Sequence, residues 1–283
     1  MTEKRTGTTD SKERTEMLEY SRKTILALII AVSAIWIAFL GYRWKVRHSS
    51  ADLVLGAEYT SISLKAAKSD IIIERGSSDS IVIHGSRIKA FKENPSGSSI
   101  TVTAEEHIYA NGIIRISLPY SNLKAFEISA SAGDIDASSV NADRISISIN
   151  AGDLKIADAN ADSISLSSKA GDIEIYDTRC NDLNIKASVG DIEAIGIDCS
   201  NASIRTSTGD IFLEPDRIEN IDISMTTGDA EIRLSHEPAL IRANTAMGDV
   251  SYNEKSVSSG EIHGGGTVSG NIVSTTGDIS IYY

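Results

Sequence analysis

The sequence has little of the chemistry on which enzymes and metal sites depend. Its 283 residues include only five histidines and two cysteines. The histidines are His48, His84, His107, His236 and His263. They share no spacing typical of metal ligands, and no serine or cysteine nucleophile is paired with a histidine in a recognisable motif. We therefore predict that the protein is not an enzyme and has no catalytic, cofactor-binding or metal-binding residues and no cofactor.

The sequence also lacks an excess of positive charge. Lysine and arginine number 27 against 39 aspartates and glutamates, so the formal net charge is −12. The first 50 residues carry nine basic and five acidic side chains, a balance of +4, which leaves −16 for the remainder. Nucleic-acid binding needs a basic face. No nucleic-acid partner is expected, and the acidic charge favours solubility of the body.

A helical periodicity of 3.6 residues is missing from the repeated part of the chain, where a Gly-Asp pair recurs instead. Successive pairs are 19, 19, 19, 19, 19, 20 and 29 residues apart. The pairs begin at Gly133, Gly152, Gly171, Gly190, Gly209, Gly228, Gly248 and Gly277. A fixed period near 20 residues is typical of stacked repeat architectures.

Apolar residues alternate with polar ones on both sides of each pair. Around Gly152 the apolar positions are Ile145, Ile147, Leu154 and Ile156. Period two indicates strands with one buried face, and one such unit can bury that face only by stacking on others. We predict an all-β parallel β-helix (β-solenoid) with rungs of about 19 residues, preceded by one N-terminal transmembrane α-helix. A second turn per rung is predicted at Asn141-Ala142-Asp143, Asn160-Ala161-Asp162 and Asn181-Asp182.

The glycine and the aspartate of each pair have separate explanations. Glycine suits a backbone with φ above zero, where a side chain would clash. The aspartate either accepts bonds from nearby backbone N–H groups or forms a ladder of charge that binds cations or a basic partner. The sequence favours the first reading and leaves calcium binding open, although the calcium-binding nonapeptide of other β-rolls is absent.

The two cysteines occupy the same position in neighbouring units. Cys180 and Cys199 each lie nine residues after a repeat glycine. Adjacent rungs lie about 4.8 Å apart, which a disulfide can span at the Cα atoms, but parallel Cβ vectors at that distance fit a disulfide poorly. We expect buried, reduced thiols and leave a disulfide between them open.

One long apolar run stands near the start. Residues 24–42 contain no charged side chain, and 19 helical residues span about 28 Å, enough to cross a bilayer. We predict a polar tail at 1–23, a single-pass transmembrane helix at 24–42 and a linker at 43–52. Six basic residues precede the span within 20 positions and three follow it, which favours a cytoplasmic N-terminus. The expected location is the cell membrane, with the solenoid extracytoplasmic.

The body divides into an irregular and a regular part. Residues 53–125 are predicted to form irregular β-rungs that cap the first regular rung, with Ser69-Asp70-Ile71 as a repeat start that lacks its glycine. Residues 126–283 are predicted to form the regular Gly-Asp solenoid. The 29-residue interval predicts a Gly-rich excursion near 256–270, and the stop at Tyr283 predicts an exposed sheet end.

One string of residues resembles a known family. The string Ile116-Ser117-Leu118-Pro119, then Phe126-Glu127-Ile128-Ser129-Ala130, then Gly133-Asp134-Ile135 is similar to the bacterial putative-adhesin family of membrane-anchored β-strand-repeat domains of unknown function, including LiaG-type proteins. The resemblance covers about residues 50–283. It implies a cell-envelope protein with a link to envelope stress and no established catalytic residues.

These observations lead to one expected function and two alternatives. We expect an envelope-exposed binding or scaffolding module, adhesin-like, held in the membrane by one helix and recognising an envelope glycan or a protein. The first alternative is a bactofilin-like structural polymer at the membrane. The second is a polysaccharide-active β-helix enzyme, which the recurrence of aspartate in every unit disfavours.

Overall fold

The computed structural model describes residues 51–85, 88–92, 97–104, 112–119, 121–257 and 260–283. The predicted tail at 1–23, the predicted span at 24–42 and nearly all of the linker at 43–52 lie outside these residues. Within these described residues, no helix is long and apolar enough to cross a bilayer.

The described chain folds as 23 β-strands joined in one continuous hydrogen-bonded sheet. The strands are β1 (Ala51–Leu55), β2 (Ser61–Arg75), β3 (Ile81–Gly85), β4 (Ile88–Lys92), β5 (Ser99–Ala104), β6 (Gly112–Leu118), β7 (Leu123–Ala132), β8 (Ile135–Ser138), β9 (Asn141–Ile149), β10 (Leu154–Ala157), β11 (Asn160–Ala170), β12 (Ile173–Tyr176), β13 (Arg179–Val189), β14 (Ile192–Thr208), β15 (Ile211–Arg217), β16 (Asn220–Thr227), β17 (Ala230–Arg233), β18 (Leu240–Met247), β19 (Val250–Tyr252), β20 (Lys255–Val257), β21 (Gly260–His263), β22 (Ser269–Thr276) and β23 (Ile279–Tyr282).

Equivalent positions of successive units pair in parallel and face one core. Leu154 pairs with Ile135 on one side and with Ile173 on the other, and Ile173 pairs in turn with Ile192. All four side chains are buried. The all-β parallel solenoid predicted from the period is therefore confirmed for the described residues.

The first corner of each rung is the Gly-Asp turn. The eight repeat glycines have φ between 107° and 147°, a region that side chains rarely adopt. The glycines also stack closely: a Cβ on Gly171 would overlap the carbonyl oxygen of Gly152 and lie 2.6 Å from its carbonyl carbon. Two independent restrictions, backbone angle and space, therefore require glycine at this corner.

The second corner lies earlier than predicted. Its positive-φ residues are Ser139, Asp158 and Asp177, with φ between 46° and 56°. The predicted turn residues Asn141 and Asn160 instead begin strands β9 and β11. Aspartate tolerates the left-handed conformation. The corner is made by the residue two positions before the Asn-Ala-Asp string, Ser139 or Asp158, and the prediction of a turn on that string was wrong.

The last two units do not stack in chain order. Strand β22 lies between β16 and β18, and β23 lies between β17 and β19. The chain leaves β19 through β20 and β21, which run antiparallel to β19 and β18, and then returns inside the stack. The prediction of an exposed sheet end at Tyr283 was therefore wrong, because β23 has a paired strand on each side.

Antiparallel strands close the parallel stack at both ends. At the N-terminal end, β2 pairs in parallel with β7 and β8 on one side and with β5 and β6 on the other. Strands β3 and β4 then pair antiparallel with β6 and β5. Ile71 pairs with Ile135, so the string Ser69-Asp70-Ile71 occupies the rung next to Gly133.

Candidate functional site

The repeat aspartates form a ladder of hydrogen bonds that runs along the solenoid. In each rung the aspartate Oδ1 accepts a bond from the backbone N–H of the aspartate in the next rung, over 2.7–3.1 Å. The carboxylates thus accept bonds from backbone N–H groups, the reading that the sequence favours, and these N–H groups belong to the neighbouring rung. In spatial order the ladder is Asp70, Asp134, Asp153, Asp172, Asp191, Asp210, Asp229, Asp278 and Asp249.

Removing one carboxylate from the ladder should have a modest effect. We expect Asp172→Ala to lower the free energy of unfolding by about 1 kcal/mol, because the Asp191 N–H loses its acceptor. Asp172→Asn should cost less, since an amide oxygen can accept the same bond. Urea unfolding of the two variants measures the difference; equal losses would mean that the charge, and not the acceptor, is what the fold requires.

The two cysteines meet in the core. Cys180 and Cys199 pair in register on β13 and β14, and both are buried free thiols. Contact with the Cys199 thiol, together with burial, raises the pKa of Cys180. The expectation that both cysteines are buried is confirmed, and the raised pKa of Cys180 disfavours a reactive thiolate.

The described histidines are far apart along the chain and have separate partners. His84 contacts the Asp52 carboxylate, His236 contacts the Ser235 hydroxyl and His263 contacts Glu261 over 3.1 Å. Over the part of the chain that the structure describes, no three His, Cys, Asp or Glu side chains are arranged to hold a metal ion. His48 and His107 lie outside it.

A column of alternating charge follows the second corner. The Asp198 carboxylate accepts bonds from the Nε of Arg217 at 2.6 Å and the Nε of Arg179 at 3.1 Å, from the rungs on either side. The bond from Arg217, reinforced by Arg179, holds the pKa of Asp198 below its ordinary value. The carboxylate is thereby fixed as an anion between two cations.

This column predicts a specific dependence of stability on pH. Because the pKa of Asp198 is lowered in the folded state, its ion pairs stabilise the fold above the ordinary aspartate pKa of 3.8 and stop doing so as the pH falls through the lower folded value. We expect the difference in unfolding free energy between the native chain and Asp198→Asn to stay level from about pH 7 to 5 and to close below about pH 4. A difference that does not shrink as the pH falls from about 4 towards 2 would contradict this account.

Next to this column lies a shallow polar depression, which we call the amide groove. Its volume is about 240 Å³. Asn122, Asn141, Asn160, Asp143 and Asp162 line it, together with Ala142 and Ala161. The asparagines occupy equivalent places in consecutive rungs, since Asn141 pairs with Asn160 and Leu123 with Ala142.

Small side chains make room for the amide groove. The alanine position at its floor is taken by Cys180 and Cys199 in the next rungs, and Arg179 follows Asn160 in the asparagine column. The Asn122 side-chain amide donates to Asp143 at 2.5 Å, so the groove presents both donors and acceptors. The string Asn-Ala-Asp was the sequence signal for it, read there only as a turn.

Comparison with known families decides the identity. The family model described as Toastrack DUF4097 matches residues 59–282, most of the chain. The chain belongs to the Toastrack DUF4097 family. At this level the assignment to a family of putative adhesins without established function is confirmed, while the LiaG-type likeness stays a prediction.

Solved structures similar to this family member include a putative adhesin from Bacteroides fragilis, with 14% identity and a TM-score of 0.49 over 83% of this chain and 97% of the other. A putative adhesin from Parabacteroides merdae has 11% identity and a TM-score of 0.47 over 83% and 96%. Comparison with curated proteins gives no match.

Proposed function

We propose that this Toastrack DUF4097 protein is a non-enzymatic binding module of the bacterial cell envelope. One N-terminal helix at 24–42 anchors it in the membrane with the N-terminus in the cytoplasm, and the solenoid stands outside. Its ligand is a hydroxyl-rich envelope glycan that lies in the amide groove. A role in the response to envelope stress follows from the LiaG-type resemblance and belongs to the same proposal.

The composition of the amide groove is the observation that carries this proposal. Asparagine amides both donate and accept, and aspartate carboxylates accept, which matches the paired hydroxyl groups of sugars. The groove crosses consecutive rungs of a regular stack, so an extended chain running along the solenoid axis meets the same groups repeatedly. Its shallow form suits a polymer, because small-molecule pockets enclose most of their ligand.

A bactofilin-like polymer is the less favoured function. End-to-end stacking needs rungs at both ends that can continue the parallel ladder. Antiparallel strands follow the last parallel strands at each end: β3 and β4 at one, β20 and β21 at the other. These strands interrupt the parallel repeat, so we expect no filaments in electron micrographs of the protein.

Binding to cell-wall material tests the proposal. Full-length protein in mild detergent should co-sediment with purified wall sacculi, and the double variant Asn141→Ala/Asn160→Ala should bind at least about tenfold more weakly, since each lost hydrogen bond is worth about 1 kcal/mol. The matched control is Asn244→Ala/Asn271→Ala, which removes two exposed amides from the last rungs. Equal binding by all three proteins, or no binding at all, would overturn the glycan proposal.

Sidedness is tested separately in intact cells. The native cysteines are buried, so a cysteine introduced by Asn244→Cys is the thiol expected to react. A membrane-impermeant maleimide should label this variant in intact cells. Labelling that appears only after the cells are broken would place the solenoid in the cytoplasm and remove the envelope part of the proposal.

A further inference from the structure

The last two strands, β22 and β23, lie inside the stack, and the spacing of the repeat does not require this position. Gly248 follows Gly228 by 20 residues, close to the regular interval, so β18 and β19 have the chain length to stack directly on β16 and β17. Instead, residues 234–239 cross two rung spacings, about 10 Å, and leave a slot that β22 and β23 fill.

The strand pair fits this slot closely on both faces. Ile272, Ile279 and Ile281 of the inserted pair are fully buried. Ile272 and Ile279 lie beside the small residues Ala243 and Ala230. The slot is thus complementary in volume to the segment that occupies it.

A glycine near the start of β22 lies close to the neighbouring strand. Gly270 lies between Ile221 and Ile241, and a Cβ on it would lie 3.0 Å from the Ile221 carbonyl oxygen. The end of the pair is also tied down, since the Tyr283 ring stacks on Tyr252 with centroids 5.5 Å apart and the Asp249 N–H donates to Asp278 at 2.8 Å.

The connection into the slot is short and rich in glycine. Strand β21 pairs with one edge of β18 and β22 with the other, so residues 264–268 carry the chain around the start of β18. Gly264, Gly265 and Gly266 lie in this connection, and Gly266 passes so close to the Glu237 carbonyl that a Cβ would overlap it. Fully extended, five residues reach about 17 Å, enough to enter the slot of a neighbouring copy at the same corner.

We propose that the β22–β23 pair is exchanged between two copies of this chain, each inserting the pair into the slot of the other. Every strand pairing of the monomer is then kept. Residues 264–268 change path and lose their own contacts, which are the burial of Val268 and the backbone bonds to residues 238–240. Exchange of an identical element is a low-cost route to a dimer, and a short, tight hinge favours it. Side-by-side columns with parallel axes satisfy this hinge length, so the partner is a second copy lying alongside.

A cross-link between two singly substituted chains tests the exchange. Ser224 on β16 and Val273 on β22 pair in register, and both point outward. The background is the full-length chain with Cys180→Ala and Cys199→Ala, because alanine already occupies this column at Ala142 and Ala161. One tagged copy carries Ser224→Cys and a differently tagged copy carries Val273→Cys, and the two are co-expressed.

Dibromobimane, which fluoresces on joining two thiols, reports the result. We expect a fluorescent species that contains both tags, at a yield at least tenfold above that of two copies that both carry Ser224→Cys. A chain with both substitutions is the positive control and should cross-link efficiently, either within one chain or between two, because β22 lies on β16 in both arrangements. Efficient cross-linking in that control with none between the two tagged copies would overturn the exchange, as would a control chain that does not cross-link, since β22 would then not lie on β16.

Discussion

The variant Gly171→Ala should lose at least about 3 kcal/mol of unfolding free energy, one of the largest losses expected for a single methyl group in this chain. Gly171 has φ +125°, and strained backbone of this kind costs about 1–3 kcal/mol by itself. The added Cβ would also overlap the Gly152 carbonyl group, so the rungs must separate at this corner. Urea unfolding followed by circular dichroism measures the loss.

Gly265→Ala is the matched control for this prediction. The nearest atom to a Cβ at that position is a Glu237 carboxylate oxygen 3.6 Å away, and its φ does not require glycine. The control should therefore stay within about 0.5 kcal/mol of the native chain. Equal stability of the Gly171→Ala and control variants would mean that the glycines do not stack carbonyl to Cα along one edge.

The variant Leu154→Ala should lose about 3 kcal/mol. Leu154 is fully buried between Ile135 and Ile173, and leucine-to-alanine changes in a core cost about 2–5 kcal/mol through lost transfer energy and the cavity left behind. The rungs on both sides are held by backbone pairing, so the cavity cannot collapse without breaking that pairing. Differential scanning calorimetry should show a single transition at lower temperature.

Val273→Ala tests whether that loss comes from burial. Val273 is apolar and sits on a strand in the same sheet, but 38% of it is exposed on the outer face. Its truncation should change stability by no more than about 0.5 kcal/mol. Comparable losses for Leu154→Ala and Val273→Ala would place Leu154 on the outside and contradict the stacked core.

The repeated part of the fold could be predicted from the sequence because its physical cause is local and repeated. A glycine with positive φ, an aspartate acceptor and alternating apolar residues recur at a fixed interval, and one arrangement satisfies them all: Leu154 over Ile135, with Ile173 next. The buried cysteine pair follows from the same register. The second corner was predicted slightly too late in the chain. Aspartate and asparagine both favour turns, so the sequence did not show which of the neighbouring residues makes the corner.

The order of the last rungs could not be predicted in this way. Ile279 pairs equally well with Ala230 and Val250, so the alternation is satisfied whether β23 lies last or between its neighbours. The inserted order depends on contacts between strands that the repeat spacing does not reveal. Gly270 gives room beside Ile221, and the antiparallel strands β20 and β21 occupy the outer edges of β19 and β18. The amide groove was missed for a similar reason, since its volume depends on small residues lined up across rungs.

Pulsed electron spin resonance tests the stacked order most directly. Asp136, Glu231, Ser280 and Ser251 belong to one outward column, in that spatial order. With one spin label at Asp136 and the second at each of the others, in the full-length chain carrying Cys180→Ala and Cys199→Ala, the distances should be about 24, 29 and 34 Å for Glu231, Ser280 and Ser251 at about 4.8 Å per rung. A longer distance to Ser280 than to Ser251, or distances that do not grow along the column, would contradict the account.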